Sequence, residues 1–116
     1  MTHRLELTGG MARYNWGING RQLDMADPGT LRFLMRQGQR VRVIFANTTM
    51  MYHPMHIHGH TFAVGPAGTR KDTVMVLPGQ QVTCDLDADN PGQWVAHCHN
   101  TYHAESGMMA VLGYQA

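Results

Sequence analysis

This sequence has few charged residues, no large excess of either sign of charge, no long apolar run and only two cysteines. Only 15% of the residues are Asp, Glu, Lys or Arg, and the formal net charge is +1 with the histidines neutral. Because a phosphate backbone is held by a basic surface, this balance argues against a nucleic-acid partner. No apolar run approaches the roughly 20 residues of a membrane-spanning helix, and MTHRLELTGG at the start lacks the apolar core of a secretory signal. We therefore expect neither nucleic acid nor a membrane as a partner, and no signal segment in this chain.

The two cysteines differ in their sequence surroundings. A disulfide between Cys84 and Cys98 is one interpretation, since small secreted domains use disulfides. Cys84, however, shares the apolar positions of a predicted strand with Val82 and Leu86, which indicates a small buried residue. Cys98 lies between two histidines. We therefore expect a structural thiol at position 84 and a chemically active one at position 98.

Apolar and polar residues alternate in short runs that Gly, Pro, Asn and Asp separate, and no long window has helical periodicity. This pattern is typical of an all-β protein, and the length suits a single domain, residues 1–116. About eight or nine strands in that length imply a two-sheet β-sandwich or a small barrel, with Greek-key connections. The strands are predicted at Arg40–Asn47, Asp72–Leu77 and Gln81–Asp87 and, with less regular alternation, at His3–Leu7, Met11–Trp16, Leu31–Arg36, Thr61–Val64, Trp94–His99 and Met108–Leu112.

The tripeptide His97-Cys98-His99 is the most informative stretch of the chain. Side chains alternate between the two faces of a strand. We therefore expect Cys98 on one face and both imidazoles on the other, so that metal ions bound on the two faces would be joined by a few backbone bonds. A second run, HPMHIHGH from His53 to His60, contains four histidines in eight residues.

One set of residues matches an electron-transfer copper site, in which two imidazoles and a thiolate form a trigonal plane with a weak axial thioether. Cys98, His103 and Met108 share the segment HCHNTYHAESGM. His53 would reach them from a distant loop. Zinc also accepts one cysteine and two histidines, but structural zinc sites favour closely paired ligands such as Cys-x-x-Cys, which this sequence lacks. The thiolate and the thioether are soft ligands and therefore favour copper.

Four further histidines form two pairs with i, i+2 spacing. On an extended backbone the two imidazoles of such a pair lie on the same side, about 6.6 Å apart along the strand. A single histidine is usually a hydrogen-bonded core or surface residue, but two such pairs around a cysteine predict half of a polynuclear copper site. We expect His60, which follows the flexible Gly59, and His3 to be structural. The paired histidines are His56, His58, His97 and His99.

These motifs resemble the C-terminal cupredoxin domain of a laccase-type multicopper oxidase. The similarity rests on HPMHIHGHTF, KDTVMVLPGQ, ADNPGQWVAHCH and NTYHAESGMM and covers residues 30 to 116, whereas the first 30 residues agree only in general pattern. The resemblance implies a cupredoxin-like sandwich and a role for each ligand. Type 1 copper would be bound by His53, Cys98, His103 and Met108. The type 2 ion would be bound by His56, and the type 3 pair by His58, His97 and His99.

The resemblance also implies an activity. A reducing substrate, either a small molecule or a metal ion, would deliver electrons at His103, and Cys98 with its flanking histidines would pass them to a trinuclear cluster that reduces dioxygen to water. Such a cluster needs eight histidines in this family, and this chain has four. The others would come from a second cupredoxin domain, from another chain, or from a second copy in a homo-oligomer. The family implies a periplasmic or extracellular location.

Two other functions stay open at this point. A blue-copper electron carrier would need only the type 1 set, so the four surplus histidines argue against it, and a copper-binding scaffold would hold ions without turnover. Glu105 could donate a proton near the oxygen site, but a solvated loop glutamate is the commoner case. The ten methionines fit core filling better than a surface for cuprous ions.

Overall fold

The computed structural model describes residues 2–9, 17–20, 32–64, 68–98 and 108–114. All regular structure in these residues is β-strand, as predicted, and none of them belongs to a helix that could cross a membrane. The strands are β1 (Thr2–Thr8), β2 (Gly17–Ile18), β3 (Arg32–Met35), β4 (Arg40–Asn47), β5 (His53–Ile57), β6 (Phe62–Val64), β7 (Thr69–Lys71), β8 (Thr73–Val76), β9 (Gln81–Asp87), β10 (Gln93–Cys98) and β11 (Met109–Tyr114).

The strands form two mixed sheets. The first sheet has the order β2-β1-β4-β9-β6-β7, and the second has the order β3-β11-β10-β5-β8. Strand β1 is parallel to β4 and β3 is parallel to β11, whereas the neighbouring strands β4 and β9, and β10 and β5, are antiparallel. The chain crosses between the sheets after β2, β3, β4, β5, β7, β8 and β9. This connectivity is that of a two-sheet sandwich with Greek-key connections.

The hydrophobic core lies between the two sheets. In β4 the side chains of Val41, Val43 and Phe45 are fully buried, and the residues between them are more exposed. Met55 and Ile57 of β5 belong to the same buried cluster, although β5 is in the other sheet. Each sheet therefore buries one face, and removal of this apolar surface from water stabilises the sandwich.

Most strand predictions are confirmed. The predicted bounds of β4 and β9 agree with the structure, and those of β1, β3, β6, β8, β10 and β11 agree to within two residues. The predicted strand Met11–Trp16 lies outside the described residues. The sequence analysis missed β2 and β7, which have two and three residues and are too short for a periodic pattern.

One prediction was wrong: His53 is not in a loop but begins β5. The strand contains Pro54, which is unusual because proline cannot donate a backbone hydrogen bond and is rare inside sheets. The pairing with β10 runs from Met55 to Ile57 and does not include Pro54. A strand holds its side chains more rigidly than a loop, so His53 is held more firmly than it would be in a loop.

Candidate metal centre

A thiol and an imidazole meet on the inner face of the second sheet. Cys98 ends β10 and His53 begins β5, and both side chains are fully buried. The Sγ atom of Cys98 lies 3.6 Å from Nδ1 of His53. The fold thus brings together two residues of the predicted electron-transfer site that are 45 positions apart in the sequence.

The separation of these two atoms suits two ligands of one metal ion. Bonds of about 2.3 Å to sulfur and 2.0 Å to nitrogen, at an angle between tetrahedral and trigonal, hold two such donors about 3.5–3.7 Å apart. The observed 3.6 Å lies within this range. Because both donors are buried, a thiolate here would need a cation to offset its desolvation. The donor pair therefore fits copper, whose electron-transfer sites combine a thiolate with imidazoles.

A buried hydrogen-bond network orients His53. The Thr49 hydroxyl lies 2.8 Å from Nε2 of His53, and the two oxygens within its reach as acceptors are Oδ1 of Asn47 at 2.7 Å and the carbonyl of Met51 at 3.0 Å. Neither oxygen can donate, so the hydroxyl proton goes to one of them and the Nε2–H of His53 donates to Thr49. Nδ1 of His53 then keeps its lone pair toward Cys98, which is the tautomer that a metal ligand needs.

Asn47 anchors this network. Its Nδ2 donates to the carbonyls of Met51 at 2.7 Å and Val76 at 2.9 Å, so its Oδ1 is left to accept from the backbone N–H of Thr49 at 2.9 Å. The sequence analysis missed Asn47 and Thr49. An Asn-Thr-Thr turn before HPMHIHGH was visible, but its contact with an imidazole depends on tertiary structure.

Met108 lies beside Cys98. Its carbonyl oxygen accepts the backbone N–H of Cys98 at 3.1 Å, and its side chain is fully buried in the same cluster. Its role as the axial thioether ligand stays a prediction. The other predicted ligand of this group, His103, lies outside the described residues, as does Glu105.

Three imidazoles meet on the outer face of the same two strands. His97 of β10 is opposite His56 of β5 in the strand register, and His58 follows β5 directly. The ring centroids of His56 and His58 are 4.9 Å apart, those of His58 and His97 5.0 Å, and those of His56 and His97 5.6 Å. The structure thus brings together three of the four histidines predicted for the polynuclear group. His99 lies outside the described residues.

Hydrogen bonds from Nδ1 orient two of these rings. Nδ1 of His56 lies 2.8 Å from the carbonyl oxygen of Asp72 and 3.1 Å from the hydroxyl of Thr73, and Nδ1 of His97 lies 2.9 Å from the carbonyl oxygen of Cys98. A carbonyl oxygen only accepts, so Nδ1 carries the proton in both rings and Nε2 has the lone pair. Nε2 of His97 lies 2.9 Å from Nε2 of His58 and accepts a hydrogen bond from it. Nε2 is therefore the atom of His56 and of His97 that could bind a metal ion, and at His97 the ion would replace the hydrogen bond from His58.

Neither group makes a complete metal site from the described part of the chain alone. No three His, Cys, Asp or Glu side chains of that part form a set that could hold one ion. The outer group adjoins an open groove of about 410 Å³, which His56, Asp72, Asp87 and Asp89 help to line. A facing surface could therefore reach the outer imidazoles and complete their ligand sets.

Cys84 provides a contrast to Cys98. Both cysteines are fully buried, and no disulfide joins them. Burial raises the pKa of Cys84 from 9.0 to about 12, with a further contribution from the charge of Asp85. Its thiol is therefore protonated at neutral pH, in agreement with a structural role.

Comparisons of sequence and of structure identify known proteins that this chain resembles. A sequence model described as "Multicopper oxidase" matches residues 1–115. Multicopper oxidase MmcO of Mycobacterium tuberculosis is 52% identical over an alignment of 119 positions that covers 97% of this chain and 23% of that protein. Copper resistance protein A of Escherichia coli is 39% identical over an alignment of 111 positions that covers 92% of this chain and 18% of that protein. The crystal structure of McoA multicopper oxidase from Aquifex aeolicus matches with a TM-score of 0.84 at 33% identity and covers 100% of this chain and 29% of its own. This chain therefore spans no more than about a quarter of the curated relatives named here.

Proposed function

The chain belongs to the multicopper oxidase family, and from this premise we propose that it provides the type 1 copper site and half of the trinuclear copper cluster of an oxidase. The proposal rests on the two consecutive residues of β10 whose side chains point to opposite faces of the sheet. Cys98 faces inward beside His53, and the preceding residue, His97, faces outward with His56 and His58. One strand can therefore join two copper groups.

The ligand roles follow the two faces. The inner group would hold type 1 copper through His53, Cys98, His103 and Met108. The outer group would hold the type 2 and type 3 ions through His56, His58, His97 and His99. Bound copper would supply one-electron redox chemistry, through which a reducing substrate is oxidised and dioxygen is reduced to water. The hydrogen bonds at Thr49, Asp72 and Cys98 support these roles, because they leave a lone pair on Nδ1 of His53 and on Nε2 of His56 and His97.

The chain's own residues would fix the route between the two groups. Cys98 and His97 are adjacent, and the Nδ1–H of His97 donates back to the carbonyl of Cys98, which ties the imidazole to the residue that bears the thiolate. On the inner side, the network through Thr49 holds His53. Because both ends are held, little structural rearrangement would accompany electron transfer. His103 would be the point of electron entry.

The outer group needs a facing surface with further histidines. We place that surface in another cupredoxin domain of a longer polypeptide, because this chain covers 23% of the length of MmcO. A second copy of this chain in a homo-oligomer is the alternative, since two-fold assembly is the commonest form of self-association. The reductant would be a small molecule or a metal ion, and the location periplasmic or extracellular, as in the family.

The two cysteines offer a matched test in the copper-loaded protein. Cys98→Ala should abolish the intense thiolate-to-copper absorption while the type 3 near-ultraviolet shoulder remains. Cys84→Ala removes an equally buried thiol and should retain both features. Blue absorption that survives Cys98→Ala, or that disappears equally in both variants, would contradict the proposal.

Copper per polypeptide, measured together with assembly mass and oxygen uptake, separates the remaining possibilities. A blue-copper carrier would bind one copper ion and consume no oxygen. A scaffold would bind copper without the blue absorption. A homo-oligomer would show its cluster signals only at the mass of an assembly, whereas a longer polypeptide would show them as a monomer.

A further inference from the structure

The last histidine of HPMHIHGH, His60, has no place in either ligand group. It is buried, with 7% of its surface exposed, just after the turn that follows β5. Its Nδ1 lies 3.2 Å from the carbonyl oxygen of His58, and its Nε2 lies 2.7 Å from the hydroxyl oxygen of Tyr114 in β11. The rings of His60 and Tyr114 are stacked, with centroids 5.8 Å apart and planes inclined by 13°. His60 therefore links the backbone of a proposed copper ligand to β11, which is separated from β5 by β10 in the same sheet.

The directions of these hydrogen bonds can be assigned from chemistry. The carbonyl of His58 only accepts, so Nδ1 of His60 carries the proton. In the neutral ring Nε2 is then an acceptor, and the hydroxyl of Tyr114 donates to it. That hydroxyl accepts in turn from the backbone N–H of Asn90 at 3.0 Å. Every donor in the series from Asn90 through Tyr114 and His60 to His58 thus has an acceptor.

Asn90 holds the same turn from the other side. Its Nδ2 donates to the carbonyl of Gly59 at 2.9 Å, and its own carbonyl accepts the indole N–H of Trp94 at 2.8 Å. The carbonyls of His58 and Gly59, which are consecutive in the turn, are therefore both fixed by side chains. Trp94 belongs to β10, the strand that also bears His97 and Cys98.

We propose that His60 and Tyr114 are positioning residues that hold the backbone of His58 so that its imidazole is set for copper before copper binds. This inference rests on the proposed function, because the position of His58 matters only if it is a ligand. Residues that support metal ligands raise metal affinity by limiting the geometries that the ligands sample. His60 would thus serve the cluster without touching it.

Tyr114→Phe in the full copper-loaded polypeptide is the main test. It keeps the stacked ring and removes only the hydroxyl that joins Asn90 to His60. The cluster copper should be lost to a chelator about 10-fold more readily, with a matching decrease of the type 3 shoulder, while the type 1 absorption is unchanged. Val41→Ala is the control for a general loss of stability, because Val41 is fully buried in β4 of the other sheet. It should leave the ratio of type 3 to type 1 signals unchanged.

A rescue pair tests His60 itself. The amide nitrogen of an asparagine can occupy about the position of Nδ1, so His60→Asn should retain more cluster copper than His60→Ala. A measurement without copper is also available, because the ¹⁵N shifts of the His60 ring should identify the Nδ1–H tautomer in the metal-free protein.

The possible failures are distinct. Unchanged cluster copper in Tyr114→Phe, an equal loss in Val41→Ala, no advantage of His60→Asn over His60→Ala, or an Nε2–H tautomer would each overturn the positioning role while the proposed function stands. A type 3 signal that is missing from the unsubstituted holoenzyme would overturn the proposed function, and this inference with it.

Discussion

Replacing Gly59 with alanine should destabilise the chain more than the same change at a glycine of equal backbone conformation. Gly59 has φ +74°, and a Cβ atom there would lie 2.5 Å from Cδ2 and 2.7 Å from Cε2 and Cε3 of Trp94. Carbon atoms normally approach to about 3.5–4.0 Å, so the indole would have to move by about 1 Å. Its N–H bond to the carbonyl of Asn90, at 2.8 Å, opposes that movement.

Two terms add to the expected loss. A side chain in the left-handed region costs about 1–2 kcal/mol, and overpacking against a held ring costs about 1–3 kcal/mol. Gly79 is a matched control, because its φ is +75° and a Cβ atom there would meet nothing within 4 Å. Gly79→Ala should therefore lower the unfolding free energy only by the backbone term of about 1–2 kcal/mol. Gly59→Ala should lower it by about 2–5 kcal/mol, the sum of both terms. The difference between the two variants measures the overlap with Trp94.

Urea unfolding of both variants measures this difference. In a Trp94→Ala background the extra loss at Gly59 should disappear, since the overlapping ring is gone, and such a double-mutant cycle isolates the pair. Equal losses of unfolding free energy for Gly59→Ala and Gly79→Ala in the unsubstituted background would refute this reasoning. The result also bears on function, because the turn at Gly59 carries His58.

Two further predictions concern buried polar groups. Thr49→Val leaves the Nε2–H of His53 without its acceptor and should lower the unfolding free energy by about 1–3 kcal/mol. Thr49→Ser keeps the hydroxyl and should retain most of the unfolding free energy. Equal urea midpoints for the two variants would contradict this prediction. The pKa of Cys84 is raised from 9.0 to about 12, so its thiol stabilises the folded state fully below pH 9 and progressively less as pH rises toward 12, by up to about 1.4 kcal/mol per pH unit. Cys84→Ala should flatten that alkaline decline, and an unchanged slope of unfolding free energy against pH would exclude the thiol as its cause.

Residues whose roles depend on local sequence could be predicted. The alternation around Val43 and Phe45 specified β4, and strand parity alone put Cys98 and His97 on opposite faces. The pairing of Cys98 with His53 was also accessible, because copper chemistry restricts which residue types can meet. These inferences use properties of neighbouring residues or of one kind of site.

Residues whose roles depend on tertiary contacts could not be predicted. Tyr114 and His60 are 54 positions apart, and nothing near Tyr114 in the sequence indicates a histidine partner. Thr49 is only four positions from His53, yet its role needs a turn whose shape Asn47 sets through contacts with another strand. The sequence analysis did not predict β5, a strand that includes Pro54, and proline is rare inside sheets because it lacks an N–H to donate.

The pattern that builds the fold also separates the two copper groups. Ala96 and Cys98 of β10 are buried, as are Met55 and Ile57 of β5, so the core accepts only the register in which these residues face inward. A slip by one residue would expose that apolar set and turn His97 into the core. The energy that fixes the register is therefore the energy that keeps the thiol inside and the imidazole outside. For this reason a substitution that weakens the inner face of β10 should disturb both groups together, whereas one at the turn of His58 should disturb only the outer group.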